Sequence, residues 1–137
     1  MAINQEDLKF MLHEAGRMIG RPYLLGAKWK LNEQNPVGPI DCSGFVRWVY
    51  SRGGIAIPDG SYDQILSLHK EVGEPFAGDL GFFKSPSTGQ IDHVGMLYDP
   101  FCVIEARGVP YNEVIIRPRS RWQNYEYFTG WYTYTGK

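Results

Sequence analysis

Asp41-Cys42-Ser43-Gly44-Phe45-Val46 stands where a Gly/Pro-rich stretch, Pro36-Val37-Gly38-Pro39, gives way to helical periodicity. From Cys42 onward Phe45, Val46 and Val49 recur at helical spacing, flanked by Trp48 and Tyr50, until Gly53-Gly54 stops the run. The spacing predicts a thiol at or just before the first turn of a buried helix. Unpaired backbone N–H groups and the positive end of the helix dipole favour an anionic sulfur at such a position. The same amides suit an oxyanion developing beside it. Two readings fit this stretch alone: a nucleophile, or a small buried hydrophobe at a helix start.

Upstream, Asn4 and Asp7 open a helix whose Leu8, Met11, Leu12, Ala15, Met18 and Ile19 share one face. Gly20 and Pro22 end it, and His13 falls among its polar positions, as a surface residue would. Residues 24–40 show no period and contain Trp29 beside Lys28, Lys30 and Glu33. So long an aperiodic segment in a compact domain is commonly functional or mobile. Downstream, Ser61-Tyr62-Asp63-Gln64 has the pattern of a capping box opening a short helix, with His69 read as a solvated residue at its end.

Beyond Gly73 the period becomes strand-like, with candidate strands at 80–83, 93–97, 101–106, 114–117 and 127–134 separated by turn residues. Helices first and strands afterwards predict an α+β fold, with N-terminal helices packed on a central antiparallel sheet of about five or six strands. One domain is expected to span residues 1–137.

Fourteen basic and fifteen acidic side chains leave a net charge of −1, so no basic footprint points to nucleic acid. Two cysteines make no disulfide framework, and no ligand spacing suggests a metal or cofactor. The N-terminus is polar and acidic with no apolar signal region, and no stretch is long enough to span a membrane. The chain is expected to act as a monomer and to remain where it is made unless something carries it out.

A thiol nucleophile needs a base, and the base needs an orienting partner. His93 opens one candidate strand and Glu105 lies in the next. Pairing Leu97 with Phe101 across a three-residue loop sets His93 opposite Glu105 on one face. A two-residue loop reverses the parity and separates them. Glu105 is flanked by Val103, Ile104 and Ala106, which makes a solvated carboxylate an uncomfortable reading. Cys102 is an odd number of residues away and is expected to face the other side, as a structural residue.

Three segments now stand in order: Asp41-Cys42-Ser43-Gly44-Phe45-Val46, Gly78-Asp79-Leu80-Gly81-Phe82-Phe83 and Ile91-Asp92-His93-Val94-Gly95-Met96. Together with Arg21-Pro22-Tyr23 they resemble the NlpC-type family of papain-like peptidoglycan cysteine peptidases. The resemblance runs from the first helix to the last strand and implies a papain-like NlpC-type fold. It implies Cys42 as nucleophile, His93 as general base and Glu105 as the third polar residue. It implies Tyr23, Asp41 and Ser43 as residues that shape the site and hold the N-terminal portion of a peptidoglycan stem peptide.

The expected reaction is hydrolysis of an amide in that peptide, at the bond from γ-D-glutamyl to a diamino acid. Muramoyl–L-alanine amidase, cross-bridge peptidase and a non-catalytic wall-binding module are the alternatives. Glutamate in place of the family's common histidine, and Gly26-Ala27-Lys28-Trp29 in place of a Gly-Gly turn, are departures. With no signal region, a phage lysin, an injected effector or an excised catalytic domain fits equally.

Two features lie outside these motifs. Trp29 sits where a lid over bound peptide is expected. Arg117-Pro118-Arg119-Ser120-Arg121 concentrates positive charge, either as a solvated turn or as a site for the free carboxylates of stem peptides.

Overall fold

The computed structural model describes residues 2–67 and 69–136. Helix α1 (Gln5–Arg17) is capped by Asn4, whose side chain accepts from the Asp7 N–H at 2.9 Å. Its apolar face packs on α2 (Cys42–Arg52), and buried Glu14 bonds both Arg17 and Arg52 to lock the two helices together. The short helix α3 (Ser61–Leu66) follows. Strands β1 (His69–Val72), β2 (Leu80–Lys84), β3 (Ile91–Asp99), β4 (Cys102–Arg107), β5 (Glu113–Pro118) and β6 (Phe128–Tyr134) form one sheet. The spatial order is β1-β6-β2-β3-β4-β5, and each neighbouring pair is antiparallel.

Alternation along the strands sorts the apolar side chains into two clusters, one on each face. Leu80, Phe82, Val94, Met96, Ile104 and Ala106 meet α1 and α2. Phe83, Leu97, Val103 and Trp131 meet Trp122 from α4 (Arg119–Gln123) on the opposite side. The α+β architecture expected from the sequence is therefore observed, with six strands.

Four expectations require correction. His69 is not a solvated helix end. It begins β1, with its ring half-buried between those of Tyr50 and Tyr134 and its Nδ1 2.8 Å from the Ser67 carbonyl oxygen. The capping box at α3 does not form: Gly60 is the cap, and Gln64 turns inward to donate to the carbonyls of Ser43 and Pro58 at 3.0 and 2.9 Å. Residues 119–121 are the start of α4 and not a turn.

Segment 24–40 is also tied down rather than loose. Arg17 and Arg21 donate to the carbonyls of Gln34 and Pro36, at 2.8 and 2.7 Å. Trp29 and Trp48 donate to those of Gly38 and Glu33, both at 2.9 Å. Trp29 itself is 7% exposed and packs edge-on against Phe45 and Trp48. A buried ring with its N–H already bonded is a core residue, so Trp29 does not act as a lid here.

Candidate active site

Helix α2 brings the first functional group. Asp41 is its N-cap and accepts from the Gly44 N–H at 2.8 Å, which leaves the first-turn amides of Cys42 and Ser43 outside that cap. Gly44 is required because a Cβ there would lie 2.8 Å from the Asp41 carboxylate and 2.9 Å from Ile40. Cys42 begins the helix, with its sulfur 4.0 Å from the carbonyl oxygen of Asp92 at the start of β3.

Strand β3 brings the second. His93 pairs with Phe83 of β2, and its ring packs with those of Phe83 and Trp122 at centroid distances of 5.5 and 5.6 Å. The Cys42 thiol acts on the imidazole by charge and hydrogen bond, and the ring's Nε2 lies 2.7 Å from Glu105 Oε1.

The His93–Glu105 contact forms in a register other than the expected one. Asp99 pairs with Cys102 around a two-residue loop, Pro100-Phe101, which alone would place His93 and Glu105 on opposite faces. An irregularity at Tyr98, between the Leu97–Val103 and Asp99–Cys102 pairs, restores the parity. The ladder is thereby shifted two residues from the expected register, and His93 reaches Glu105 diagonally. Tyr98, the residue set aside, packs its ring against α1, where a Cβ on Gly16 would come 2.6 Å from its hydroxyl.

Glu105 has no exposed surface, and each of its carboxylate oxygens is bonded. Besides His93, Arg107 Nη1 donates to Oε1 at 3.0 Å and Trp122 Nε1 donates to Oε2 at 2.7 Å. Nothing in the sequence marks Trp122 for this site, and Arg107 is marked only by being a basic residue two positions along the same strand face. Gly95 makes the Trp122 bond possible, since a Cβ there would lie 2.6 Å from the Trp122 ring.

The electrostatics follow from this packing. Burial is the largest influence on His93 and opposes its charged form. The charge and hydrogen bond of Cys42, then those of Glu105, outweigh it and lift the imidazole to about 10. For Glu105 burial pushes the carboxyl up, but the His93 hydrogen bond and charge, then Arg107 and Trp122, bring it below its ordinary value. The arrangement holds a proton on His93 between two acidic groups.

Tyr23 stands beside this group. Burial, then the negative charges of Cys42, Asp41 and Asp92, raises its phenol above the ordinary value and keeps it a neutral donor. Asp41 and Ser43 are buried and engaged internally. Lys28 Nζ lies 2.7 Å from both Asp41 oxygens and 3.1 Å from Ser43 Oγ, and also pairs with Asp59 at 2.7 Å. Asp41 thus has a resident cation.

The two cysteines are both free thiols, and Cys102 stands on the strand face away from Glu105. Of the three clustered arginines, Arg119 points elsewhere, bonded to Glu74 and Gln123.

Comparison with known proteins finds relatives by sequence and by fold. The model of the NlpC/P60 family matches residues 20–132. The bifunctional muramidase/DL-endopeptidase CwlT of Bacillus subtilis is 35% identical over 88 residues, covering 63% of this chain and 25% of that protein. Peptidoglycan endopeptidase RipB of Mycobacterium tuberculosis is 32% identical over 112 residues, covering 76% of this chain and 45% of that protein. The crystal structure of RipB superposes with a TM-score of 0.75 at 28% identity, over 96% of this chain and 65% of that one. A lipoprotein-like NLP/P60 protein of Staphylococcus aureus superposes with a TM-score of 0.77 at 26% identity, over 98% of this chain and 43% of that one. The chain spans less than half the length of these two curated relatives. With the family model covering both the Cys42 helix and the His93–Glu105 strands, the chain belongs to the NlpC/P60 family.

Proposed function

We infer that this chain hydrolyses an amide bond in peptidoglycan stem peptides through a Cys-His-Glu thiol mechanism. The observation that carries this reading is the His93 imidazole, held between the Cys42 sulfur and a fully buried carboxylate. In the first half-reaction the Cys42 thiolate attacks the amide carbonyl carbon. The charge passes to the carbonyl oxygen, toward the α2 first-turn amides and the Tyr23 hydroxyl. The C–N bond breaks as His93 gives its proton to the departing nitrogen, leaving a thioester on Cys42. A water then loses a proton to His93 and adds to the thioester, and the C–S bond breaks to release the acid and the thiolate. Glu105 holds the ring throughout and offsets the imidazolium charge.

The bond proposed is the one from γ-D-glutamyl to a diamino acid. It is supported by the DL-endopeptidase named in the CwlT relative. Tyr23 and the Lys28-neutralised Asp41–Ser43 corner are proposed to shape the site on the side of the stem peptide's N-terminus.

Purified peptidoglycan digested with the protein and resolved by mass spectrometry should yield new γ-D-glutamyl carboxyl termini and free diamino-acid amines. Cys42→Ala should remain folded and release neither. New L-alanine amines with intact γ-D-glutamyl bonds would instead identify an amidase, and release by the Cys42→Ala protein would rule out the mechanism.

A further inference from the structure

A cavity lies beside Glu105, one of its arginines bonded to that carboxylate. Arg107 of β4, Arg117 of β5 and Arg121 of α4 converge, with Ser120, Asn124 and the rings of Phe83 and Tyr125, on this cavity of about 430 Å³. That size lies within the usual range for small-molecule sites, roughly 300–1,000 Å³. None of the seven lining residues is acidic. Arg107 already bonds Glu105, but among the described residues neither Arg117 nor Arg121 forms an ion pair with a carboxylate. The guanidinium groups of Arg107 and Arg117 lie over the Tyr111 ring at 5.8 and 5.2 Å, and that ring holds both of them in place.

Three like charges drawn to one cavity repel each other, and an arriving anion relieves that repulsion. Guanidinium forks match a planar carboxylate, and the two aromatic walls offer apolar contact to the short side chain next to it. We propose that this cavity is a binding pocket for the terminal carboxylate of a short aliphatic peptide. The peptidoglycan stem is the source, an assignment that rests on the function inferred above. The site is anchored by Arg117 and Arg121, while Arg107 links it to Glu105 Oε1, the oxygen that also meets His93.

Binding can be read without hydrolysis, on the Cys42→Ala protein by calorimetry at fixed ionic strength. The probes are acetyl-D-alanyl-D-alanine, its C-terminal carboxamide and inorganic phosphate. The acid should bind, and the carboxamide at least tenfold more weakly. Arg121→Ala should cost the acid tenfold or more, Arg121→Lys should cost less, and Arg119→Ala should change nothing. Far-UV circular dichroism and thermal melts check that each variant is folded. No binding of the acid, equal binding of acid and carboxamide, or an Arg119→Ala loss as large as that of Arg121→Ala would overturn the pocket. Phosphate bound more tightly than the acid, with the same Arg121 dependence, would overturn the carboxylate assignment. Because no bond is cut, failure here leaves the digestion result standing, and an inactive protein can still show the pocket.

Discussion

Glu105 takes hydrogen bonds from three donors of different chemistry, and each has a separate consequence. The carboxylate favours the charged form of His93, so removing it lowers the imidazole from about 10 while burial continues to oppose the charge. Glu105→Gln should therefore keep measurable activity, because the amide oxygen still accepts from the ring. The alkaline limb of kcat/KM on a soluble stem peptide should move from near 10 toward neutrality. His93→Ala should lose nearly all turnover. An alkaline limb in the same place for wild type and Glu105→Gln would mean that the carboxylate does not set the ring's charge. Cys102, on the other strand face, is the control: Cys102→Ser should leave kcat/KM within about twofold, under roughly 0.5 kcal/mol of barrier.

Between strands and helices, the site depends on a few close approaches. Gly95 lets the Trp122 ring lie against β3 and reach Glu105. Gly95→Ala should cost about 1–3 kcal/mol by overpacking, read as a lower urea midpoint, and should reduce kcat as Trp122 withdraws from Glu105. Full stability with unchanged kcat would show that the sheet yields there at no cost. Helix α2 relies on Asp41 both as cap and as partner of Lys28. Asp41→Ala should lose about 0.5–2 kcal/mol from the cap alone and leave Lys28 with only the Asp59 carboxylate and the Ser43 hydroxyl. Its urea midpoint should fall further than that of Asp59→Ala, whose carboxylate is more exposed. The reverse order would make the corner a surface ion pair with no bearing on α2.

For the whole molecule, the His93–Glu105 pair makes stability depend on pH in a defined direction. His93 is raised from 6.5 to about 10 on folding, so its contribution is complete below 6.5 and is lost as pH rises through about 10. Glu105 is lowered from 4.5, so its contribution is present above 4.5 and is lost as pH falls. The stability difference between wild type and His93→Phe, from urea unfolding, should be largest between these limits and shrink toward pH 10. A difference that grows through that alkaline range would reverse the sign of the linkage.

What the amino-acid sequence determined by itself was whatever depends on near neighbours along the chain. The 3.6 period and Asp41 placed Cys42 at the start of α2, and the period of two marked five of the six strands. Parity along one strand put Cys102 and Glu105 on opposite faces whatever the neighbouring ladder did. The tertiary structure decided whatever depends on contacts between segments far apart in sequence. The irregularity at Tyr98, whose ring packs on α1, steps the ladder by one residue after the two-residue loop and leaves His93 within reach of Glu105. Trp122, seventeen residues beyond Glu105, meets it only because α4 folds across the sheet. Strand β1 is short and mostly polar, and pairing with β6 rather than any pattern of its own makes it a strand. Burial settled Trp29 in the same way, since no local pattern says whether an aromatic ring in an aperiodic segment will face solvent or the core.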